Sequence, residues 1–250
     1  APVVLSVMQD SKGFMWFITL YGLVRYDGYN YKSYTYDPKD STSIPNIIGI
    51  SSLIEGNDGK IWIGTAQNLL VEFDPVTESF TSYPMDSTIS VNYRNWVSTL
   101  YEDQQGIMWI GTQFEGFYRF NPSQNTFKLF RQQTEKPIHN KDFITAFVEL
   151  DDQLMLVATW EGLYELNRMN DSLRPFIRKD KLPEGFDKAA FYTLHKDLNG
   201  CIWISCNLGL FKYNPTNKDI THFEHDPKNL NSISNGFVSD IFNNPLDNGQ

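Results

Sequence analysis

The stretch Trp62-Ile63-Gly64-Thr65 decides the fold of this chain, because it recurs at a fixed interval. Related sequences begin at Trp16, Trp109 and Trp203, and a weaker copy, Leu-Val-Ala-Thr, begins at Leu156. The first residues of the five copies follow one another by 46, 47, 47 and 47 positions. A constant period of this length indicates one supersecondary unit that is repeated along the chain and stacks on its neighbours to bury its apolar faces.

The second copy shows how one repeat is organised. An apolar run at residues 50–54 precedes the turn Asn57-Asp58-Gly59, and the Trp-centred run follows that turn. A third run ends at Phe73-Asp74 before a proline, and a fourth carries Phe80 and Tyr83. Short runs of β-branched and aromatic residues joined by Asp/Gly turns are typical of β-hairpins. Each repeat is therefore predicted to form four antiparallel strands, the first strands lying at residues 4–8, 50–54, 97–101, 144–148 and 191–195.

Four antiparallel strands in about 40 to 50 residues are typical of a blade of a β-propeller, in which blades pack face to face around a central channel. Helical repeats can have a similar period, but the closely spaced Gly, Pro, Asn and Asp turns leave no room for helices. The sequence therefore predicts an all-β fold, a β-propeller of four-stranded antiparallel blades. A single propeller domain is expected over residues 1–250, with blades at about 1–46, 47–93, 94–140, 141–187 and 188–234.

A sixth repeat is expected to begin at residues 235–250. Val238 follows Phe191 by 47 positions, so residues 238–244 align with the first strands of the earlier repeats. The preceding linker, residues 226–235, is identical to residues 37–46 at six of ten positions. We therefore predict five full repeats and the first strand of a sixth.

The recurrent tryptophans have two possible roles, as core or as a ligand cage. Because they occupy one equivalent strand position, a large flat ring there can fill the space between adjacent blades. The weak copy keeps an apolar residue, Leu156, at that position. The pattern favours a packing role.

Composition and charge exclude several partners. The chain has 41% hydrophobic residues, and no stretch approaches the roughly 18 apolar residues of a membrane span. The 21 basic residues are scattered, and the net charge is −9, so neither nucleic acid nor an anionic lipid surface is an expected partner. No basic, apolar signal segment is present at Ala1, which leaves a cytosolic chain or one trimmed of its leader.

Cys201 and Cys206 are an odd number of positions apart on one predicted strand, so their side chains should point to opposite faces and cannot form a disulfide with each other. We therefore expect two buried free thiols.

Ligand-binding residues are expected on the loops between the second and third strands and on the loops that lead into each blade. These loops should open on one face around the channel mouth, and their sequences differ from blade to blade. Aromatic rings and polar side chains together suit the CH faces and hydroxyls of sugars, although ordinary polar turns remain the alternative for any single residue. The candidates are Tyr21, Gln67, Asn68, Arg94, Trp96, Gln113, Phe114, Glu115, Trp160, Glu161 and Asn207.

Catalysis is the rival interpretation from another class. A glycan-cleaving propeller needs two carboxyl groups about 5–10 Å apart, and only Glu115 and Glu161 could supply them. The predicted channel-lining positions are small or polar and nearly free of charge. The four histidines lack further ligands at metal-binding spacing. No catalytic residue, metal site or cofactor is predicted.

The stretch Gly13-Phe-Met-Trp-Phe17, the stretch Arg25-Tyr-Asp-Gly-Tyr29 and the later Trp-Ile-Gly-Thr cores resemble the two-component regulator propeller repeats. Such repeats form the periplasmic sensor region of hybrid two-component histidine kinases of gut Bacteroides and their relatives. The resemblance implies blades one to five of a seven-bladed propeller and an oligosaccharide ligand that controls glycan-utilisation genes. It also implies a periplasmic location and, as partners, the remaining propeller and kinase domains and a second copy in a homodimer.

The chain departs from the family pattern locally. Blade four lacks the Trp and Gly, blade five has Ser205-Cys206 in place of Gly-Thr, and blade one has Ile18 in place of Gly. A scaffold for protein interaction or dimerisation without a ligand remains the alternative function.

Overall fold

The structure, a computed structural model, describes residues 3–45, 50–66, 69–85, 95–131, 143–176, 182–234 and 238–241. Its strands form five four-stranded antiparallel sheets, and in each sheet the strands are paired in sequence order.

Blade 1 contains β1 (Val4–Gln9), β2 (Met15–Thr19), β3 (Gly22–Tyr26) and β4 (Tyr31–Tyr34). Blade 2 contains β5 (Ile50–Glu55), β6 (Ile61–Thr65), β7 (Leu69–Asp74) and β8 (Ser79–Pro84). Blade 3 contains β9 (Val97–Glu102), β10 (Met108–Thr112), β11 (Phe117–Asn121) and β12 (Thr126–Phe130). Blade 4 contains β13 (Ile144–Glu149), β14 (Leu154–Thr159), β15 (Gly162–Asn167) and β16 (Ser172–Pro175). Blade 5 contains β17 (Phe191–Lys196), β18 (Ile202–Cys206), β19 (Gly209–Tyr213) and β20 (Ile220–Phe223).

The five predicted first strands begin at the residues that the repeat indicated, and each ends one residue later than predicted. The pairing of each first strand with the second contains one register shift, and in blade 1 it falls between Val4 and Ser6. A β-bulge of this kind bends the strand and increases its local twist. Residues 238–241 have no assigned secondary structure, and residues 242–244 of the predicted sixth-blade strand lie outside the described residues.

The chain divides into two compact units, Ala1–Phe143 with blades 1 to 3 and Ile144–Gln250 with blades 4 and 5. Within each unit, neighbouring blades pack through opposite faces. The face that carries the second-strand tryptophan position is named the Trp face here. The opposite face, named the Ile face, carries the next residue along that strand. The Ile-face residues at this position are Phe17, Ile63, Ile110, Val157 and Ile204.

The first interface joins the Trp face of blade 1 to the Ile face of blade 2. Trp16 is fully buried and makes an edge contact with Phe73, the ring centroids being 5.5 Å apart. In blade 4, Leu156 is also fully buried, in a core cluster that includes Ile204 of blade 5. Burying a large apolar side chain stabilises the fold by about 1.5–3 kcal/mol, and the loss of the ring in blade 4 leaves this role in place. The predicted packing role is confirmed for these residues, whereas Trp203 is only half-buried.

The Ile face of blade 1 differs from its counterparts. Val7 is 55% exposed, whereas Leu53 and Leu100, at the same position in blades 2 and 3, are 8% and 6% exposed. Its cross-strand neighbours Phe17 and Val24 are only partly buried. Blade 1 therefore presents to solvent a row of side chains that blades 2 and 3 bury against the preceding blade.

The last residue of a first strand reaches back to the first hairpin turn of the preceding blade. Glu55 accepts the backbone N–H of Ser11 at 2.7 Å, and Glu102 accepts that of Asn57 at 2.6 Å. In blade 5 the residue is Lys196, whose Nζ donates to the carbonyl oxygens of Glu149, which ends β13, and of Leu150 in the turn after it, at 3.1 and 3.3 Å. In blades 2 and 3 an acidic side chain accepts a backbone N–H, and in blade 5 a basic side chain donates to backbone carbonyl groups. The contact between blades is therefore made with either charge at this position.

Glu102 gives one of these contacts a pH dependence. Burial raises the pKa of the Glu102 carboxyl above its ordinary value, and the Asn57 N–H opposes this only in part. A carboxyl with a raised pKa in the folded state contributes stability that is present at low pH and is lost as the pH rises through that pKa. The Glu102→Gln variant lacks this titrating group. The native chain should therefore lose stability relative to Glu102→Gln as the pH rises above about pH 4.

The measurement is urea unfolding at a series of pH values, with Glu78→Gln as the control of opposite sign. A hydrogen bond from Lys32 lowers the pKa of the exposed Glu78 carboxyl, so its contribution is lost as the pH falls. If the stability of the native chain relative to Glu102→Gln stays constant or rises with pH, the pKa of Glu102 is not raised in the folded state.

Both cysteines are buried free thiols, as predicted. Burial raises the pKa of the Cys206 thiol to about 11. Cys201 lies just before β18 rather than on it. None of the described residues belongs to a helix long and apolar enough to cross a membrane.

Candidate ligand-binding site

The loops between second and third strands are fixed at their base by a hydroxyl group. Each of the first four blades ends its second strand with a threonine whose Oγ1 donates a hydrogen bond to a carbonyl oxygen where the third strand begins. The pairs are Thr19 to Gly22 at 3.1 Å, Thr65 to Leu69 at 2.8 Å, Thr112 to Gly116 at 2.8 Å and Thr159 to Gly162 at 2.9 Å. Cys206 takes this position in blade 5, and its Sγ accepts the Leu208 N–H at 3.4 Å. The recurrent threonine therefore shapes the loop on which ligand contacts were predicted.

The loop of blade 3 is joined to the segment that leads into the blade. Asn95 is fully buried, its Oδ1 accepts the Phe114 N–H at 3.1 Å, and its Nδ2 donates to Glu115 Oε2 at 3.1 Å. The Gln113 N–H donates to the Trp96 carbonyl at 2.9 Å. These bonds bring three predicted site residues, Trp96, Gln113 and Phe114, into one local arrangement.

Glu115 does not lie on the loop surface, as the sequence suggested. It is 2% exposed, and the Tyr118 hydroxyl donates to its Oε2 at 2.8 Å. A buried carboxylate needs such donors, and Asn95 and Tyr118 supply them. The carboxylate therefore positions the loop from inside the blade, and the view of Glu115 as an accessible binding or acidic group is corrected.

Asn207 has a related tethering role in blade 5. Its backbone N–H donates to the Ala190 carbonyl at 3.1 Å, and its Oδ1 accepts the Ala190 N–H at 3.0 Å. The same backbone bond links Gln113 to Trp96 in blade 3. In both blades the loop between the second and third strands therefore holds the segment that leads into the blade.

The exposed aromatic side chains among the predicted residues are Tyr21, Trp96 and Trp160, which are 75%, 42% and 43% exposed. Tyr21 and Trp160 lie on two-residue loops of the same design, in which Thr19 Oγ1 accepts the Tyr21 N–H and Thr159 Oγ1 accepts the Glu161 N–H, each at 3.1 Å. Phe114 and Glu161 are half-buried. Rigid loops thus present flat rings to solvent. Gln67, Asn68 and Arg94 lie outside the described residues.

Tyr21 also lines a cavity of about 450 Å³ on blade 1. Phe17, Val24 and Tyr31 contribute to its walls, so the cavity is mainly apolar. Its size lies within the range of pockets that hold small molecules, about 300–1,000 Å³. These walls belong to the exposed Ile face of blade 1, the face that blades 2 and 3 bury against the preceding blade.

Sequence reasoning missed Asn95 and Tyr118, which hold the blade 3 loop. Asn95 directly precedes Trp96 in the sequence, and only its complete burial distinguishes it from an ordinary turn asparagine. His222, considered from the sequence for metal binding, lies 2.7 Å from the Leu208 carbonyl oxygen and stacks on Phe211. In the part of the chain that the structure describes, no group of three His, Cys, Asp or Glu side chains is arranged to hold a metal ion.

Comparison with solved structures supports the class of fold that these sheets define. The chain is 23% identical to the extracellular domain of BT3049 from B. thetaiotaomicron, described as a hybrid two-component system, with a TM-score of 0.65 over 87% of this chain and 29% of that one. The corresponding domain of BT4673 is 21% identical, with a TM-score of 0.61 over 97% of this chain and 36% of that one. The catalytically inactive H270A virginiamycin B lyase from Staphylococcus aureus is 13% identical, with a TM-score of 0.64 over 88% of this chain and 69% of that one. The predicted fold class, an all-β propeller of four-stranded blades, is confirmed.

The family model described as two component regulator propeller matches residues 43–67 and 94–114. Both segments include the first hairpin of a blade and end just after its Trp-Ile-Gly-Thr sequence. The resemblance that the sequence indicated is thereby confirmed for the repeats of blades 2 and 3. The chain spans about a third of the length of the two Bacteroides structures. No curated protein matches it.

Proposed function

We propose that the chain is a ligand-sensing, extracytoplasmic part of a hybrid two-component system and that it binds oligosaccharides through the loops between its second and third strands. The observation that carries the proposal is the contrast between these loops and their scaffold. Trp160 is 43% exposed on such a loop, whose base is fixed by a buried hydrogen bond, and Trp96 is 42% exposed on the segment that is tied to the blade 3 loop. By contrast, Trp16 and Trp109 in the strands are 0% and 1% exposed.

Exposed rings on a rigid support bind sugars at little entropic cost, because the CH face of a sugar ring packs on an aromatic face and nearby polar groups bond its hydroxyls. Similarity to extracellular domains of two Bacteroides hybrid systems supports the sensing role and a periplasmic location. In this proposal, binding is communicated through further domains of a longer protein, acting as a homodimer, to a histidine kinase and to the transcription of glycan-utilisation genes.

Calorimetric titration with a panel of oligosaccharides tests the proposal. Trp160→Ala should weaken binding by about tenfold or more, because a central aromatic contact contributes over 1 kcal/mol, while the melting temperature stays nearly unchanged. Met169→Ala is the matched control, since Met169 is 74% exposed on another turn of the same blade. Equal affinities for Trp160→Ala and the native chain would remove this loop from the site, and no binding of any oligosaccharide would refute the ligand class.

The exposed Ile face of blade 1 favours a second candidate function, a platform for association. Its row Val7, Phe17 and Val24 is equivalent to rows that blades 2 and 3 bury, so the fitting partner is another blade of the same repeat type. This candidate requires concentration-dependent association in sedimentation, together with no heat of oligosaccharide binding in the calorimetric titration.

A further inference from the structure

Blade 2 lacks a side chain that three other blades share. Blades 1, 3 and 5 begin their first hairpin turn with Asp10, Asp103 and Asp197, and one carboxylate oxygen of each accepts the Nε1–H of the blade's tryptophan, at 2.8, 2.8 and 3.0 Å. Blade 2 has Gly56 at this position. The turn itself is unchanged, because the Gly56 N–H donates to the Lys60 carbonyl just as the Asp103 N–H donates to the Ile107 carbonyl. Only the carboxylate is missing.

Trp62 therefore has a donor without its usual acceptor. The residue is 3% exposed, and no described residue accepts a hydrogen bond from its Nε1. The ring is held by Tyr83 and Phe120, whose centroids lie 5.8 and 6.0 Å from it. Nε1 faces the turn, since a Cβ built on Gly56 would lie 2.9 Å from it. Nε1 is not among the buried side-chain atoms without a partner, so its N–H reaches the cleft surface, where water or a ligand hydroxyl can accept its hydrogen bond.

The same indole lines a cleft of about 600 Å³ between blades 2 and 3. Asp58, Lys60, Glu72 and Glu102 also line it, so three acidic groups face one basic group. The volume lies within the range of small-molecule sites. The cleft is reached from the first hairpin turn of blade 2, at the opposite end of the strands from the loops of the proposed oligosaccharide site.

The buried carboxylate of Glu72 and the partly buried one of Glu102 have different partners in the cleft. Glu72 is paired with Lys60 at 2.5 Å and accepts the Tyr83 hydroxyl at 2.9 Å. Glu102 accepts the Asn57 N–H but has no cationic partner among the described residues. Glu102 Oε2 and Trp62 Nε1 lie 3.1 and 2.9 Å from the same point, the position of a Cβ on Gly56. An acceptor with spare capacity and a donor without a partner thus converge on one place.

We infer that the cleft between blades 2 and 3 is a second binding site, for a small neutral polyol such as a monosaccharide, with one hydroxyl placed between Trp62 Nε1 and Glu102. A hydroxyl group can accept the indole hydrogen bond and donate to the carboxylate at the same time. An ammonium group has no acceptor for the indole, and an anion is repelled by the surplus of carboxylates. This inference does not depend on the proposed oligosaccharide function.

Heteronuclear NMR of the indole N–H groups tests the inference. The chain has six tryptophans, and Trp62→Phe identifies the Trp62 signal by its loss. The probes are glucose, galactose, N-acetylglucosamine and glycerol, with methylammonium and acetate as charged comparisons. A monosaccharide should shift the Trp62 signal in a saturable manner while the Trp109 signal, whose hydrogen bond is already made, stays in place.

Two variants make the test specific. Gly56→Asp restores the carboxylate of the other blades, so it should abolish the shift, and Trp62→Phe should weaken calorimetric binding of the same sugar by about 3- to 10-fold through the loss of one hydrogen bond. No shift with any neutral probe, or a saturable shift with acetate or methylammonium, overturns the inference. Oligosaccharide binding that responds to Trp160→Ala but not to Gly56→Asp sustains the proposed function alone.

Discussion

Gly116→Ala is expected to lower the free energy of unfolding by about 2–5 kcal/mol. Gly116 has φ +87°, where a side chain costs about 1–2 kcal/mol. A Cβ there would lie 2.3 Å from the Phe130 carbonyl oxygen, which belongs to the neighbouring strand β12. Backbone cannot move aside as a flexible side chain can, so β11 and β12 would have to separate locally.

Gly59→Ala is the matched control for this prediction. Gly59 has φ +78°, but a Cβ there meets nothing within 4 Å. Denaturant unfolding of both variants separates the conformational cost, which they share, from the close approach, which only Gly116 has. Equal losses of stability in the two variants would show that the new Cβ of Gly116→Ala avoids the Phe130 carbonyl oxygen without a measurable free-energy cost.

The close approach recurs where the third strand begins. A Cβ on Gly22 would lie 2.2 Å from the Tyr34 carbonyl oxygen, and one on Gly209 would lie 2.5 Å from that of Phe223. Both glycines occupy positions in blades 1 and 5 equivalent to that of Gly116. Blade 2 has Leu69 at the start of its third strand, four positions after Thr65, just as Gly116 follows Thr112 by four in blade 3. In blades 1, 3 and 5, glycine is therefore required by the close approach of a fourth-strand carbonyl group and not only by the turn of the chain.

The strands were predictable because several local signals agree. The short apolar run and the constant period both place the first strand of blade 4 at Ile144, although that blade has lost its Trp and Gly. Leu156 replaces the ring and is still fully buried. Burial depends on apolar area rather than on one residue type, so a degenerate copy keeps its fold.

The site was less predictable, because its geometry depends on contacts distant in sequence. Glu115 follows an aromatic residue in a polar loop, which is typical of an exposed turn, yet Asn95, twenty positions earlier, draws it into the blade. From the sequence, Asp10, Asp103 and Asp197 are typical residues of a hairpin turn. Their second oxygens also bond a tryptophan six positions on, a contact that turn statistics do not describe.

The difference between blades 2 and 3 leads to a second large expected effect. Trp109→Phe should destabilise the chain by about 1.5–3 kcal/mol more than Trp62→Phe does, because only Trp109 donates to a buried carboxylate. Trp109 Nε1 lies 2.8 Å from Asp103 Oδ2, and Asp103 is 2% exposed. Both tryptophans are almost fully buried, at 1% and 3% exposed, so the loss of apolar area is similar in the two variants.

A double-mutant cycle in blade 3 separates the hydrogen bond from the other contacts of the ring. Asp103→Gly gives blade 3 the residue that blade 2 has at Gly56, and in that background Trp109→Phe should cost about as much as Trp62→Phe costs in the native chain. Chemical denaturation of the four blade 3 proteins and of Trp62→Phe supplies the five free energies. A full penalty for Trp109→Phe without Asp103 would mean that ring packing, not the carboxylate, holds the indole. The cycle therefore measures the stabilising hydrogen bond that blade 2 lacks because it has Gly56 in place of aspartate. A ligand hydroxyl could form that hydrogen bond with Trp62 Nε1 in the cleft.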